Sequence, residues 1–400
     1  MNSKNLEKLY ADEISLLTPP EYSDYVNLNL KKIRDFRRNF NIPIIGVAGT
    51  EGKSTTKRML SAILSQRGPV LETPLDCDSA SVVTSTLLQL EKQYQYGLLE
   101  LGIINHQQFK LAVDVAEPNI GVITNIGEAH LARMGDKYKI ADAKVELVRH
   151  LNPQDFAVLN IDDELVSGME SFAKTQRIIK FGFNQAAHFY ATDIDFLGPD
   201  GVEFTLNNYY KFNLPIYGST AVSNALAAIA TARILNFEFE EIIEGLKKNF
   251  KLIPGRGNFT AIGDVQFLDH TYNATVNSVS KACESLVQFK KYSNNLILVL
   301  GSLEELGEEA KEIHMKIGYY ISALPIDVVL TVGNDARYVG DGIRQINHNK
   351  KVVQHCEAPQ EIPELVPKYI QPNTTLLMIG GRSLKLSTQL KKLMTVLKKS

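Results

Sequence analysis

The stretch IPIIGVAGTEGKSTTKRML, residues 42–60, does most to limit what this chain can fold into. An unbroken apolar run of this kind reads as a strand buried on both faces. It passes directly into a helix-length amphipathic segment, and the junction carries Gly46, Gly49 and Gly52, then Lys53 and Ser54. A buried strand that enters a helix through glycines is the building unit of a parallel sheet with crossover helices. The junction is also an anion seat. Glycines tolerate positive φ and let backbone approach a ligand, successive N–H groups converge, and the helix adds its positive end. The usual phosphate-loop spacing, G-x-x-x-x-G-K-[ST], fails by one place because Val47 stands where its first glycine belongs. The physics survives that departure: Lys53 is placed to neutralise the outer phosphates of a nucleotide and Ser54 to ligate Mg²⁺. The expected cradle is Gly49, Thr50, Glu51, Gly52, Lys53, Ser54 and Thr55. The ordinary alternative is a tight turn with a surface lysine; the strand before, the helix after and GKST at the junction favour the nucleotide.

The strand–helix rhythm continues through YGLLEL (96–101), NIGVIT (119–124), FAVLNI (156–161) and RIIKFGF (177–183). Residues 188–213 alternate apolar and polar in short runs, which predicts a small antiparallel insertion. Helices are expected over 220–235 and 238–250, and LIPGRGN (252–258) then breaks the pattern with Pro and two glycines. The rhythm restarts in VQFLDH, LILVLGS, DVVLTVG, KVVQH and TTLLMIGG. The fold class is α/β. It divides into a short polar helical extension (1–40), a central nucleotide-binding domain with a mostly parallel sheet (41–254) and a C-terminal Rossmann-like domain (255–400).

Composition excludes several function classes. A net charge of −2 over 400 residues implies no general attraction to nucleic acid or anionic lipid. No apolar run approaches the roughly 20 residues of a membrane span, and the opening MNSKNLEKLYADE is too charged for a secretory signal. Cys77, Cys283 and Cys356 lie too far apart for a metal knuckle and read as buried thiols in a reducing cytoplasm.

GVAGTEGKSTTK resembles the nucleotide loop of the Mur ligases, ATP-dependent ligases of peptidoglycan precursor assembly. LLELG (98–102), PNIGVITNIGEAHLARMGDKYKIADAKVEL (118–147), FAVLNIDDE, IIKFGFN and LIPGRGN resemble further family segments in the right order. Within the family, LDHTYNATVNS (268–278), LGSLEELGEEAKEIHMKIG (300–318) and GGRSLKL (380–386) are similar to segments of the type that adds D-alanyl-D-alanine. The likeness spans about residues 42–390, with departures. About 40 residues precede the loop where that type carries a UDP-sugar-binding domain, so that domain is expected to be missing. Thr275 and Val276 replace an Asn and a Pro, Ile379 replaces a Lys, and of the motif GxHNxxN only Asn224 survives.

The resemblance implies roles. Glu100, which also ends an apolar strand facing the loop if the sheet is doubly wound, would ligate Mg²⁺, as would Ser54 and His130. Lys144 matches a family lysine that is carbamylated in many members; addition of CO₂ turns the cation into an anion able to ligate or position Mg²⁺, and requires a depressed pKa. Arg256, at the hinge, would reach the γ-phosphate on closure. Asp269 would bond the ribose, Asn224 would face the adenine, and His314 and Arg382 would belong to the acceptor site. Catalysis would rest on Lys53, Lys144, His130 and Arg256, with ATP and two Mg²⁺ ions as cofactors.

The reaction so implied is amide ligation: transfer of the γ-phosphoryl of ATP to a carboxylate, attack of an amine on the acyl phosphate and loss of phosphate. The partners are a small-molecule carboxylate and an amine, with a protein partner open as replacement for the missing front domain. Two alternatives stand beside it: a peptidoglycan-precursor ligase with a truncated front domain, and a nucleotide-binding regulatory or scaffold protein without ligase activity. A plain ATPase or kinase would transfer phosphate without any amine.

Overall fold

A computed structural model describes residues 19–74, 79–102, 105–127, 136–304, 306–346 and 351–398. Among the described residues nine strands form the first sheet and six the second. The chain enters through helix α1 (Pro19–Arg38), followed by β1 (Ile44–Ala48), α2 (Lys53–Leu64), β2 (Val70–Glu72), α3 (Ala80–Leu87), β3 (Tyr96–Glu100), α4 (His106–Ala116), β4 (Ile120–Ile123), α5 (Lys137–His150), β5 (Phe156–Asn160), α6 (Glu164–Gly168) and β6 (Ile178–Gly182). A meander of β7 (Phe189–Phe196), β8 (Val202–Leu206) and β9 (Tyr210–Leu214) leads into α7 (Ser219–Ile234) and α8 (Phe239–Asn249). The sheet order is β2-β3-β1-β4-β5-β6-β7-β8-β9. Every pairing from β2 to β7 is parallel; the β7–β8 and β8–β9 pairings are antiparallel. The insertion expected at 188–213 is therefore present, as the continuation of the main sheet.

All five residues of β1 are buried because both faces of the sheet are covered. Ile44 and Ala48 join a layer with side chains of α1, α3, α4 and α5, whereas Ile45 and Val47 face α2, α7 and α8. β1 lies between β3 and β4, so the crossovers run in opposite directions from it. That reversal leaves an open crevice at the carboxyl ends of these three strands, where α/β sheets bind ligands.

The second sheet comprises β10 (Asn258–Ile262), β11 (Val265–His270), β12 (Asn295–Gly301), β13 (Val328–Val332), β14 (Val352–Cys356) and β15 (Thr374–Ile379), in the order β10-β11-β15-β12-β13-β14. Only the β10–β11 hairpin is antiparallel. Helices α9 (Val276–Gln288), α10 (Ala310–Ser322) and α11 (Arg337–Ile346) cover one face, and α12 (Ile362–Leu365) with α13 (Leu386–Leu397) the other. Cys283 and Cys356 are buried and free, their thiols pushed up to about 12 and about 11 by desolvation; Cys77 lies outside the described residues.

The two sheets meet through an aromatic contact. Tyr217, just before α7, packs at 5.4 Å from Phe259 and 5.9 Å from Phe289 between ring centroids. Its hydroxyl donates to the carbonyl of Pro199 at 3.0 Å, and burial pushes the phenol up to about 12. Gly218, at φ +84°, follows because a Cβ there would stand 2.2 Å from Ser285 Oγ on α9. Phe289→Ala removes a buried ring from the C-terminal core at this junction. It is expected to cost about 3–5 kcal/mol, read as a lower urea midpoint in chemical denaturation.

Candidate active site

The loop between β1 and α2 is built by its neighbours as much as by its own residues. Gly49, at φ +151°, has no room for a side chain: a Cβ would lie 1.9 Å from Thr124 Oγ1. Gly52, at φ +81°, caps α2, and a Cβ there would meet Asn224 Oδ1 at 2.2 Å. Residues after β4 grip the loop from the side. The Thr50 and Glu51 amides donate to Asn125 O and Oδ1 at 3.0 and 2.9 Å. Thr124 Oγ1 and Asn125 Nδ2 donate to the Glu51 carbonyl at 2.6 and 2.9 Å. Beneath the loop, Ser54 Oγ donates to Glu100 Oε1 at 2.8 Å, and both side chains are buried. Lys57 Nζ lies 3.3 Å from Glu100 Oε2 and donates to Thr73 O at 2.7 Å and Pro74 O at 3.2 Å. Among the described residues Glu100 Oε2 has no hydrogen-bond partner. Lys144, from α5, is 1 % exposed and donates to Thr50 Oγ1 at 3.0 Å.

A cleft of about 480 Å³ separates this loop from the second sheet. Its far wall comes from the carboxyl ends of β11, β12 and β15: His270 and Tyr272, Leu303 and Glu304, and Arg382. Arg256 and Arg382 both stack on the Tyr272 ring, at 4.2 and 5.3 Å from its centroid. The cleft thus has a cationic lysine and a backbone anion seat on one side and two guanidinium groups on the other.

A relative from Synechocystis sp., named UDP-N-acetylmuramoyl-tripeptide–D-alanyl-D-alanine ligase, is 31 % identical over 360 residues, 90 % of this chain and 76 % of the relative. The chain belongs to the Mur ligase family. Residues 47–232 match the family model for the Mur ligase middle domain, and 255–382 that for the Mur ligase, glutamate ligase domain. The crystal structure of MurF from Acinetobacter baumannii has a TM-score of 0.81 at 30 % identity, covering 92 % of this chain and 80 % of that one. MurF ligase from Thermotoga maritima, solved in complex with ADP, shares the fold, with a TM-score of 0.81 at 23 % identity over 94 % of this chain and 84 % of that one. Like its relatives, this Mur ligase is an ATP-dependent enzyme that forms amide bonds. No helix among the described residues is long and apolar enough to cross a membrane.

Most of the residues singled out in the sequence of this ligase converge. Thr50, Glu51, Gly52, Lys53, Thr55, Glu100, Asn224, Arg256 and Arg382 all line the cleft, with Ser54 and Lys144 immediately behind the loop. Two do not stand where the sequence placed them. Asp269 is not in the cleft wall: its carboxylate accepts from Thr271 N and Oγ1 at 3.0 and 2.6 Å, and the wall residue is its neighbour His270. His314 is a correction. Its ring is fully buried, Nδ1 donates to Ala310 O at 2.6 Å and Nε2 accepts from Leu303 N at 3.0 Å. With both nitrogens taken, it holds the backbone at Leu303 from behind and has no group left for an acceptor substrate. His130 lies outside the described residues.

Lys57 escaped the sequence reading, although its place on the inward stripe with Leu60 and Leu64 marks it as buried. Removing one partner of a buried pair leaves the other uncompensated. Lys57→Met is therefore expected to cost about 3–5 kcal/mol by urea denaturation, with the double variant K57M/E100Q costing markedly less. His270 yields a pH test. Burial holds its imidazole down to about 4 against an ordinary 6.5. The unfolded chain then takes up the proton first, so stability is complete above 6.5 and falls as pH drops from 6.5 to about 4. The urea midpoint of His270→Asn should decline less over that window than that of the parent protein.

Proposed function

We propose that this ligase joins the carboxylate of a peptide-like precursor to the amine of a small, acid-bearing acceptor, in the manner of the D-alanyl-D-alanine-adding relatives. The observation that carries the reading is the pairing of one intact phosphate cradle with two guanidinium groups across a single cleft. Stacked on the same tyrosine, Arg256 and Arg382 bring two guanidinium groups to one cleft, a donor set suited to a transferred phosphoryl or a carboxylate.

The residues fit the nucleotide and its metal. Loop amides other than those of Thr50 and Glu51, together with Lys53, would hold the phosphates. Ser54 Oγ and the Glu100 carboxylate, whose Oε2 lacks a hydrogen-bond partner among the described residues, form a hard oxygen pair suited to Mg²⁺; the ion would screen the repulsion between triphosphate and acid. A second ion would draw on His130 and on Lys144 in its carbamylated form. Lys53 stabilises charge on the migrating phosphoryl, Arg256 approaches it from the hinge, and the acyl phosphate then accepts the amine. Arg382 orients the acceptor through its acid group, and Asn224 bears on the base side of the loop. The cytoplasm, where ATP and reduced thiols coexist, is the matching compartment.

The test is phosphate release by the purified protein with UDP-linked and UDP-free peptide acids, each with D-alanyl-D-alanine and single amino acids. Release that needs both acid and amine supports the reading; release with neither, or ATP binding without turnover, contradicts it. Lys53→Ala should abolish turnover. Lys144→Ala should lower it at least tenfold, as expected when a group acts on the transition state, with partial recovery on adding short carboxylates.

A further inference from the structure

Glu51 is the member of the nucleotide loop with no obvious place in phosphate binding, since its carboxylate has the wrong charge for a triphosphate. Its backbone is pinned by Thr124 and Asn125, which fixes the direction of the side chain. That side chain crosses the cleft. Thr275 Oγ1 donates to Glu51 Oε1 at 2.6 Å, and Asn277 Nδ2 donates to Oε2 at 2.7 Å. Thr275 is the N-cap of α9, and its hydroxyl also accepts from Ser278 N at 3.1 Å. Because the oxygen accepts there, its proton is free to point at Glu51. Both carboxylate oxygens thus have a donor from the start of α9, at the positive end of a helix of 13 residues. Among the described residues Glu51 has no cationic partner within ion-pair distance.

We infer that Glu51 is a positioning residue that latches the nucleotide loop to the C-terminal unit through Thr275 and Asn277, closing the cleft and holding its own negative charge off the phosphate seat. The inference rests on the reading of the loop as the ATP site. Two consequences are coupled. Closure presents Arg256, Tyr272 and Arg382 to the loop, and the same contact keeps the Glu51 carboxylate on the opposite wall. By linkage, if the latch favours nucleotide binding, bound nucleotide must favour the latch by the same factor.

Asn277→Asp separates this role from a structural one. An acidic residue in the first turn of α9 suits the helix dipole, so a merely structural Asn277 predicts a neutral or slightly stabilising change. The latch predicts the reverse: two carboxylates face each other and the cleft opens. Measured by energy transfer between dyes on the two units of the full chain, without nucleotide, N277D should shift towards the open distance. The KM for ATP should rise about tenfold, within the usual range of coupling between sites, with a smaller change in kcat. The swapped pair E51Q/N277D restores one donor and one acceptor at the same total charge, and should recover closure and most of the KM. The idea is overturned if N277D matches the parent protein in distance and KM, or if the swap fails to recover either. A parent protein that closes as described but binds no non-hydrolysable ATP analogue in calorimetry would instead overturn the ATP-site reading and leave the closure result standing.

Discussion

The buried carboxylate of Glu100 is the constraint around which the nucleotide end of the sheet is arranged. It terminates β3 beside Val47 of β1, directly under the loop. An isolated carboxylate at 2 % exposure would neutralise itself or destabilise the fold. Lys57 supplies the opposite charge from α2, Ser54 supplies a hydrogen bond from the same helix, and Thr73 ties the lysine to the Glu100 amide through its hydroxyl, at 3.2 and 3.0 Å. Replacing both ions by apolar groups would be the cheaper solution for stability alone. A carboxylate retained beneath a phosphate loop, with Lys57 already against one of its oxygens, is the feature on which the proposed metal site rests.

That local arrangement explains why the loop needs β4 as well as β1. A glycine-rich segment loses much conformational entropy when ordered. Here the loss is offset by the backbone carbonyl of Asn125, which takes the Thr50 amide, and by the side chains of Thr124 and Asn125, which bond the Glu51 backbone. Gly49 and Gly52 are then required by contact as well as by dihedral angle, since Thr124 and Asn224 occupy the space a side chain would need. The loop is thus a composite of three strand ends and one helix, formed only once the sheet order is set.

The α/β architecture was legible because strands buried on both faces read as unbroken apolar runs. Each such run at 42–48, 96–101, 119–124, 156–161 and 177–183 contains an observed strand. β2 was not legible because three residues carry no period, nor was β10, whose half-exposed NFTAI lacks the apolar signature. At the site, glycine spacing exposed the loop, and the resemblance supplied Glu100, Lys144, Arg256 and Arg382. Position in sequence did not distinguish Asp269 from His270, because which strand-end residue faces a cleft depends on the pleat and the turn that follows. His314 shows the limit of motif reasoning in another way. A histidine in a helix has the same letters whether its nitrogens meet substrate or backbone, and only the fold places Ala310 and Leu303 against it.

Each half of the molecule is electrostatically incomplete. The first unit offers Lys53, with Lys144 buried behind the loop; the second offers two arginines stacked on one tyrosine ring. Acids line the cleft as well, Glu51 on the loop side and Glu304 on the far wall. Glu51, the one carboxylate of the loop, reaches donors on the opposite wall. The chemistry of amide ligation brings further negative charge, since triphosphate and acid are both anions. The same charge distribution that binds substrates is therefore what draws the two units together, and closure and recognition are one electrostatic event.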